Sequence, residues 1–159
     1  MNSGQEIFIN DITQSWKTVF FFIYNLPSVI FWGIRIKGIT LHKCVVTIPY
    51  SWRTKNPFNS MYFAAQAGAA ELSTGILVKA SLQGRGKWSM YVTGFKAEYG
   101  ITAKSRVTFT CEVGDELEKL IAEIERAGNP QEITLVSTGK NLYGEMVSKF
   151  YITWSLKKK

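Results

Sequence analysis

The stretch MYFAAQAGAAELS, residues 61–73, constrains the fold more than any other part of the chain. Ala64, Ala65, Ala67, Gly68, Ala69 and Ala70 carry almost no side-chain bulk, so backbone can approach from nearly every side. A helix that is small and apolar all round has no broad polar face to offer water, so it must be enclosed by other structure. A long, twisted antiparallel sheet wrapped around the helix satisfies that need. The spacing predicts a helix over about 60–74, with Asn59 or Ser60 as its N-cap and Gly75 as its C-terminal stop.

The flanking sequence supplies the sheet. GIRIKGITL and CVVTIPY read as two strands, with a bulge or bend expected at Gly38. ILVKASLQ, KWSMYVTGFKAEY, KSRVTFTCEV, QEITLVSTGK and SKFYITWSL read as further strands, rich in β-branched and aromatic residues. Ile12, Trp16, Val19, Phe20 and Ile23 recur at helical spacing and predict an N-terminal helix over 12–25, broken by Pro27 before a short turn near 28–31. GDELEKLIAEIERAG predicts an amphipathic helix near 114–127, opened by Asp115 and Glu116 and closed by Arg126 and Gly128. The fold class is α+β: one long helix wrapped by five to six antiparallel strands, with an N-terminal helix and one extra helix.

An apolar content of 46% and a charged content of 19% over 159 residues suit one globular domain spanning 1–159. The net charge of +7 invites an anionic partner, and a membrane surface or anionic polymer is one reading of it. Apart from Lys157–Lys159 the basic residues are scattered, and none cluster with stacking aromatics, so nucleic acid is not the expected partner. Cys44, Cys111 and His42 have no metal-ligand spacing; two buried free thiols in a reducing cytoplasm are expected, with no metal. Val19–Ile34 is strongly apolar but is interrupted by Asn25 and Pro27 and is shorter than the roughly 20 residues a span needs, so burial is expected. No signal-peptide layout precedes it, since Glu6 and Asp11 fall among polar residues.

Glu71 is the exception in the small-residue helix. Gln66 lies about 140° away around the helix, so the two polar side chains do not share a face. Glu71 instead lies above Ala64, Ala67 and Gly68. Such a carboxylate reaches solvent at an edge, pairs with a base such as Arg53 or Arg106, or lines a pocket. Residue chemistry alone favours the ion pair.

Three motifs add a family resemblance. VTIPY, RTKNP and AELSTG, spanning Val46–Tyr50, Arg53–Pro57 and Ala70–Gly75, resemble a thioesterase-like branch of the hotdog-fold superfamily that is itself a domain of unknown function. The branch is similar to the phenylacetyl-CoA-type thioesterases. Those relatives carry an Asn, then His-Gly-Gly, then an acidic residue fifteen positions after the Asn, and Asn56 to Glu71 is the same step.

The resemblance implies hydrolysis of an acyl-CoA or acyl-carrier thioester. It places Glu71 as the carboxylate that activates water or attacks the carbonyl, Asn56 as the residue that orients it, and the Phe63 backbone amide as the oxyanion donor. Ser89 falls near an assisting strand serine, with Thr93 an equal alternative. Tyr62, Ala64 and Gly68 would line the substrate path, and Arg85, Lys87, Lys104 and Arg106 would meet the CoA phosphates. The packing of Phe20–Phe22, Trp32, Phe63 and Phe95 would set the length of the acyl tunnel. A homodimer, or a tetramer built from it, is implied, with Asn56 of one subunit facing Glu71 of the other and no cofactor beyond the CoA thioester itself. Tyr62-Phe63-Ala64 replaces His-Gly-Gly, so a binding module that keeps the tunnel without turnover is the alternative.

Overall fold

The N-terminal segment is helical from its third residue. The computed structural model describes residues 1–13, 15–113 and 115–159, and opens with helices α1 (Ser3–Thr13), α2 (Ser15–Asn25) and α3 (Pro27–Trp32). Where periodicity predicts one helix over 12–25, there are two. A capping box starts α1: Asn2 Oδ1 accepts from the Gln5 amide at 2.9 Å, and Gln5 Oε1 accepts from the Asn2 amide at 2.9 Å. Pro27 sits in the first turn of α3, and Gly33 closes it at φ 70°, in the left-handed region.

The sheet follows: β1 (Arg35–Ile39), β2 (Lys43–Ile48), β3 (Trp88–Tyr99), β4 (Val107–Glu112), β5 (Gln131–Lys140) and β6 (Met146–Lys158). All pairings are antiparallel, in the order β1-β2-β4-β5-β6-β3. The register shifts between Ile36 and Gly38, where a bulge is expected from the glycine. Inward-facing Val107, Phe109 and Cys111 of β4 are fully buried, as are Phe150, Ile152 and Leu156 of β6. Among the described residues β3 pairs only with β6, and its exposed Tyr91, Val92, Phe95 and Tyr99 stand on the sheet edge.

Helix α4 (Phe63–Leu82) lies in the concave face of this sheet and packs on β2, β4, β5 and β6, with α1, α3 and α5 (Glu116–Ala127) closing the remaining sides. This is the architecture expected of a hotdog fold. Its length corrects the sequence reading. ILVKASLQ continues the helix as far as Leu82 instead of forming a strand, and Gly75 does not stop it. Gly75 is instead a packing contact: a Cβ there would lie 3.0 Å from Cζ2 of Trp154. A residue that is enclosed takes the helical state its neighbours impose, whatever its β propensity. Asn59 and Ser60 do not cap the helix either; Tyr62 occupies the N-cap with no side-chain bond, and Asn59 takes φ 56° in the loop before it.

Enclosure requires partners for every polar side chain on α4. Gln66 Oε1 accepts from Ser148 Oγ at 2.8 Å, Ser73 Oγ meets Ser137 Oγ at 2.8 Å, and Trp154 Nε1 donates to Thr74 Oγ1 at 3.0 Å. These cross-links run from the helix to β5 and β6 and fix its position along the sheet. At the C-terminal end, Gln5 Nε2 and Asn2 Nδ2 of the N-terminal segment donate to the Ser81 and Gln83 carbonyls, giving last-turn acceptors their partners. Arg85 forms ion pairs with Glu118 and Glu125 of α5 and so clamps that helix to the same end.

The α2–α3 segment is only partly buried, against the expectation for Val19–Ile34. Phe22, Val29 and Ile34 point inward, while Val19, Phe20, Ile23, Tyr24 and Phe31 are exposed. No helix among the described residues is long and apolar enough to cross a membrane.

Phe109 of β4 faces Gly139 of β5 across the ladder, and a Cβ on Gly139 would lie 2.5 Å from the ring. Gly139→Ala should therefore destabilise the fold by about 1–3 kcal/mol through overpacking, although alanine is the better strand residue. Denaturant unfolding of the two proteins measures the difference.

Candidate functional site

Glu71 stands apart from its neighbours on α4. Its carboxylate has no hydrogen bond or ion pair among the described residues, so the expected pairing with Arg53 or Arg106 is absent. It lines a cavity of about 230 Å³ together with Leu72, Gly75, Ile76 and Lys79 of its own helix, Met90 of β3, Trp154 of β6, and Phe21, Phe22, Asn25 and Leu26 around α2. Burial in this largely apolar pocket raises its pKa above the usual glutamate value. Of the three fates open to this side chain, the pocket is the one realised.

A second cavity, of about 590 Å³, opens at the N-terminal end of the same helix. Asn56, Ser60, Phe63 and Gln66 line one side, and Phe95, Ala97 and Tyr99 of β3 line the other, with the Gly100–Ala103 loop at its rim. Phe95 and Tyr99 pack on Phe150, which packs on Phe109, so the wall of this cavity is continuous with the sheet core. The start of α4 is held by Tyr62 N–H donating to the Thr54 carbonyl at 2.7 Å and Met61 N–H donating to the Ala103 carbonyl at 2.8 Å. Phe63, first residue of the helix, has a backbone N–H with no partner among the described residues, in line with the missing side-chain cap.

The Asn56 carboxamide is already engaged. Its Oδ1 accepts from the backbone amides of Phe58 at 3.0 Å and Ser60 at 3.1 Å, and its Nδ2 donates to Ser60 Oγ at 2.9 Å. Asn56 thus shapes the loop that delivers Phe63, and only its remaining N–H is left for a ligand.

Asn56 and Phe63 are brought together, but Glu71 is not with them. Eight residues separate Phe63 from Glu71, a rise of about 12 Å along the helix, whereas groups acting on one reacting centre stand roughly 3–3.5 Å from it. The candidate cations divide similarly. Lys104 and Arg106 follow the rim of the Asn56 cavity, while Arg85 and Lys87 sit beyond Leu82 at the far end of α4, about 30 Å away along the helix axis. Arg85 is committed to Glu118 and Glu125, so its role is structural.

Ser89 lines neither cavity. Its neighbour Met90 faces Glu71, and alternation along β3 turns Ser89 to the opposite face of the sheet. Gly68 is covered by the chain itself, since a Cβ there would lie 2.7 Å from Cζ3 of Trp32. Exposed Tyr62 packs edge-on against Phe63 at 4.9 Å and shields the helix start, while Ala64 is half-buried beside it. Sequence reasoning missed Met90 and Trp154 as lining residues, and nothing local to either marks them.

Residues 17–156 match the family model described as "Domain of unknown function (DUF4442)". The chain belongs to the DUF4442 family. No curated protein matches it in sequence. Among solved structures, a Pseudomonas aeruginosa protein described as a probable thioesterase is 18% identical and superposes with a TM-score of 0.79, over 100% of this chain and 99% of that one. A Chlorobaculum tepidum protein of unknown function is 20% identical, with a TM-score of 0.75 over 91% and 94% of the two chains. A Haemophilus influenzae thioesterase is 16% identical, with a TM-score of 0.65 over 84% and 85%. At these identities the likeness is one of fold, and the fold is the hotdog fold. In this DUF4442 chain, His, Cys, Asp and Glu side chains form no group of three that could hold a metal ion among the described residues.

The raised pKa of Glu71 has a defined consequence for stability. Between the ordinary glutamate pKa and the raised one, the folded chain keeps a proton that the unfolded chain has released. Stability contributed by the neutral carboxyl is therefore lost as pH rises through that window. Glu71→Gln should match the wild type in Tm well below pH 4.5, the reference glutamate value, and exceed it at neutral pH. Thermal melts across that range give the comparison.

Proposed function

We propose that this protein hydrolyses acyl-CoA or acyl-carrier thioesters at sites shared between two copies of the chain. The observation that carries this reading is Glu71: a carboxylate without an ionic partner, held in an apolar pocket on a helix whose other buried polar side chains are all satisfied. Burying such a group costs stability and contributes nothing to packing, which marks it for chemistry. The thioesterase names carried by fold neighbours from Pseudomonas aeruginosa and Haemophilus influenzae point the same way.

The two half-sites are about 12 Å apart along one helix and can meet only between subunits. The free edge of β3, with its exposed aromatic and β-branched side chains, is a natural joint for a second copy. Antiparallel pairing of two β3 strands about their common midpoint would set Met90, which lines the Glu71 pocket, opposite the partner's Ala97, which lines the Asn56 cavity. Glu71 would then activate water, or attack the carbonyl directly, while the unpaired Phe63 amide and the positive end of the helix dipole stabilise the oxyanion. Lys104 and Arg106, which follow the Gly100–Ala103 rim of that cavity in the chain, would meet the CoA phosphates. Cys44 and Cys111, buried free thiols opposite each other on β2 and β4, suit a reducing, cytoplasmic setting.

A second reading, an acyl-ligand-binding module without turnover, draws on Tyr62-Phe63-Ala64 in place of His-Gly-Gly and on the committed Asn56 carboxamide. A panel of acyl-CoA substrates separates the two. Wild-type enzyme should hydrolyse at least one chain length, and Glu71→Gln should lower kcat by about a hundredfold or more. Activity retained in Glu71→Gln would remove the carboxylate from the mechanism, and no turnover on any substrate would leave the binding module. Val92→Lys places like charges near the middle of the proposed joint. It should convert dimer to monomer by sedimentation and abolish hydrolysis with it.

A further inference from the structure

Helix α2 stands among three cavities, and two of its phenylalanines form the partitions. The Glu71 cavity of about 230 Å³ lies under it. A second, of about 380 Å³, lies between α1, α2 and the last turns of α4, lined by apolar Phe8, Ile12 and Phe21 and by polar Asp11, Lys17, Thr18, Lys79 and Gln83. A third, of about 450 Å³, lies toward α3 and β1, lined by Val19, Phe22, Ile30 and Ile34. Phe21 lines the first and second, and Phe22 lines the first and third. The two rings meet edge-on at 5.5 Å and stand between the Glu71 cavity and the larger spaces on both sides, with Lys79 also shared by the first and second.

The floor of the cavity suits a chain lying lengthwise. Glu71, Gly75 and Lys79 recur every four residues and so form one stripe along α4, with Leu72 and Ile76 beside it. Gly75 keeps the stripe open, because a Cβ there would lie 3.2 Å from Glu71 Oε1. Beyond Glu71 the lining is hydrocarbon and aromatic apart from Asn25, whose Nδ2 donates to the Phe21 carbonyl at 2.8 Å, and Lys79, whose ammonium lies over the Phe21 ring at 5.7 Å. A group whose reactive end is at Glu71 would therefore extend an apolar tail toward Phe21.

We propose that this cavity binds the hydrocarbon end of the acyl group, and that Phe21 and Phe22 of α2 set the chain length accepted. This rests on the thioesterase reading for the position of the carbonyl, but the apolar site itself does not require turnover. At about 230 Å³ the cavity is smaller than the roughly 300–1,000 Å³ that holds a drug-sized ligand, so the acyl group is short to medium in length. Removing the Phe21 ring joins the cavity to the space of about 380 Å³ beside it and admits longer chains. Phe21 is 37% exposed, so its truncation leaves the core intact, whereas Phe22 is 3% exposed and belongs to the core.

The test measures wild type, Phe21→Ala and Phe21→Trp by two readouts. Hydrolysis is followed across acetyl-, butyryl-, octanoyl-, lauroyl- and palmitoyl-CoA, and binding of the matching non-hydrolysable S-alkyl-CoA thioethers is followed by calorimetry. Circular dichroism establishes that each variant is folded. Wild type should favour the short to medium members. Phe21→Ala should shift the optimum to longer chains, with the palmitoyl-to-butyryl preference rising by about tenfold or more, and Phe21→Trp should shift it the other way. A shift in thioether binding without hydrolysis in any variant would support the acyl site while overturning the hydrolase reading. An unchanged chain-length profile in folded variants, or no thioether binding at all, would overturn the inference.

Discussion

The enclosure of α4 is the constraint on which the rest of the structure depends. A helix floored by alanine and glycine gains stability only by contact, and it must have contact on every side. The sheet supplies the concave face, the N-terminal helices close the opposite side, and α5 closes one flank. Close approach then turns each polar atom on the helix into an obligation, because an unpaired buried group costs about 1–3 kcal/mol. Ser137, Ser148 and Trp154 meet those obligations from the sheet. The bonds that satisfy the helix also fix how far it can slide, so the cavities at its ends are held by the core.

Within that economy Glu71 is an outlier. Its burial raises its pKa and weakens the fold at neutral pH, and although Lys79 lines the same cavity, no ion pair among the described residues offsets the penalty. The Phe63 amide at the start of the same helix has no partner among the described residues, and it lies at the opposite end of the candidate chemistry. Two such features on one enclosed element are too far apart to cooperate within one chain, which is why the proposed function turns on the edge of β3. An unpaired edge is normally protected by charge or bulges; this one has a register shift between Val92 and Gly94 and the Lys96–Glu98 pair, and still exposes Tyr91, Val92, Phe95 and Tyr99.

Much of the architecture was legible in the sequence. The bulge at Gly38, the amphipathic α5 with Gly128 at its end, and strands β1 to β6 follow from period and turn chemistry, because each depends on neighbours only a few residues away. The errors share one cause. ILVKASLQ has strand composition, yet enclosure holds it in α4; Gly75 looks like a stop, yet it makes room for Trp154, far along the chain in β6. The first helix was missed although Asn2 and Gln5 form its capping box, since its apolar stripe is weak and its stability comes from docking on the end of α4.

By itself the sequence determined that a small-residue helix must be wrapped, that the wrapping is an antiparallel sheet, and that Glu71 is the residue on that helix in need of an explanation. Those follow from side-chain size and local periodicity. The tertiary structure alone decided that Glu71 meets a pocket and not a cation, that Arg85 is taken by α5, that Gly68 is covered by Trp32, and that Phe21 and Phe22 wall the cavity. Each of these depends on which distant segments share a surface. That is set by packing around the enclosed helix, and no spacing along the chain records it.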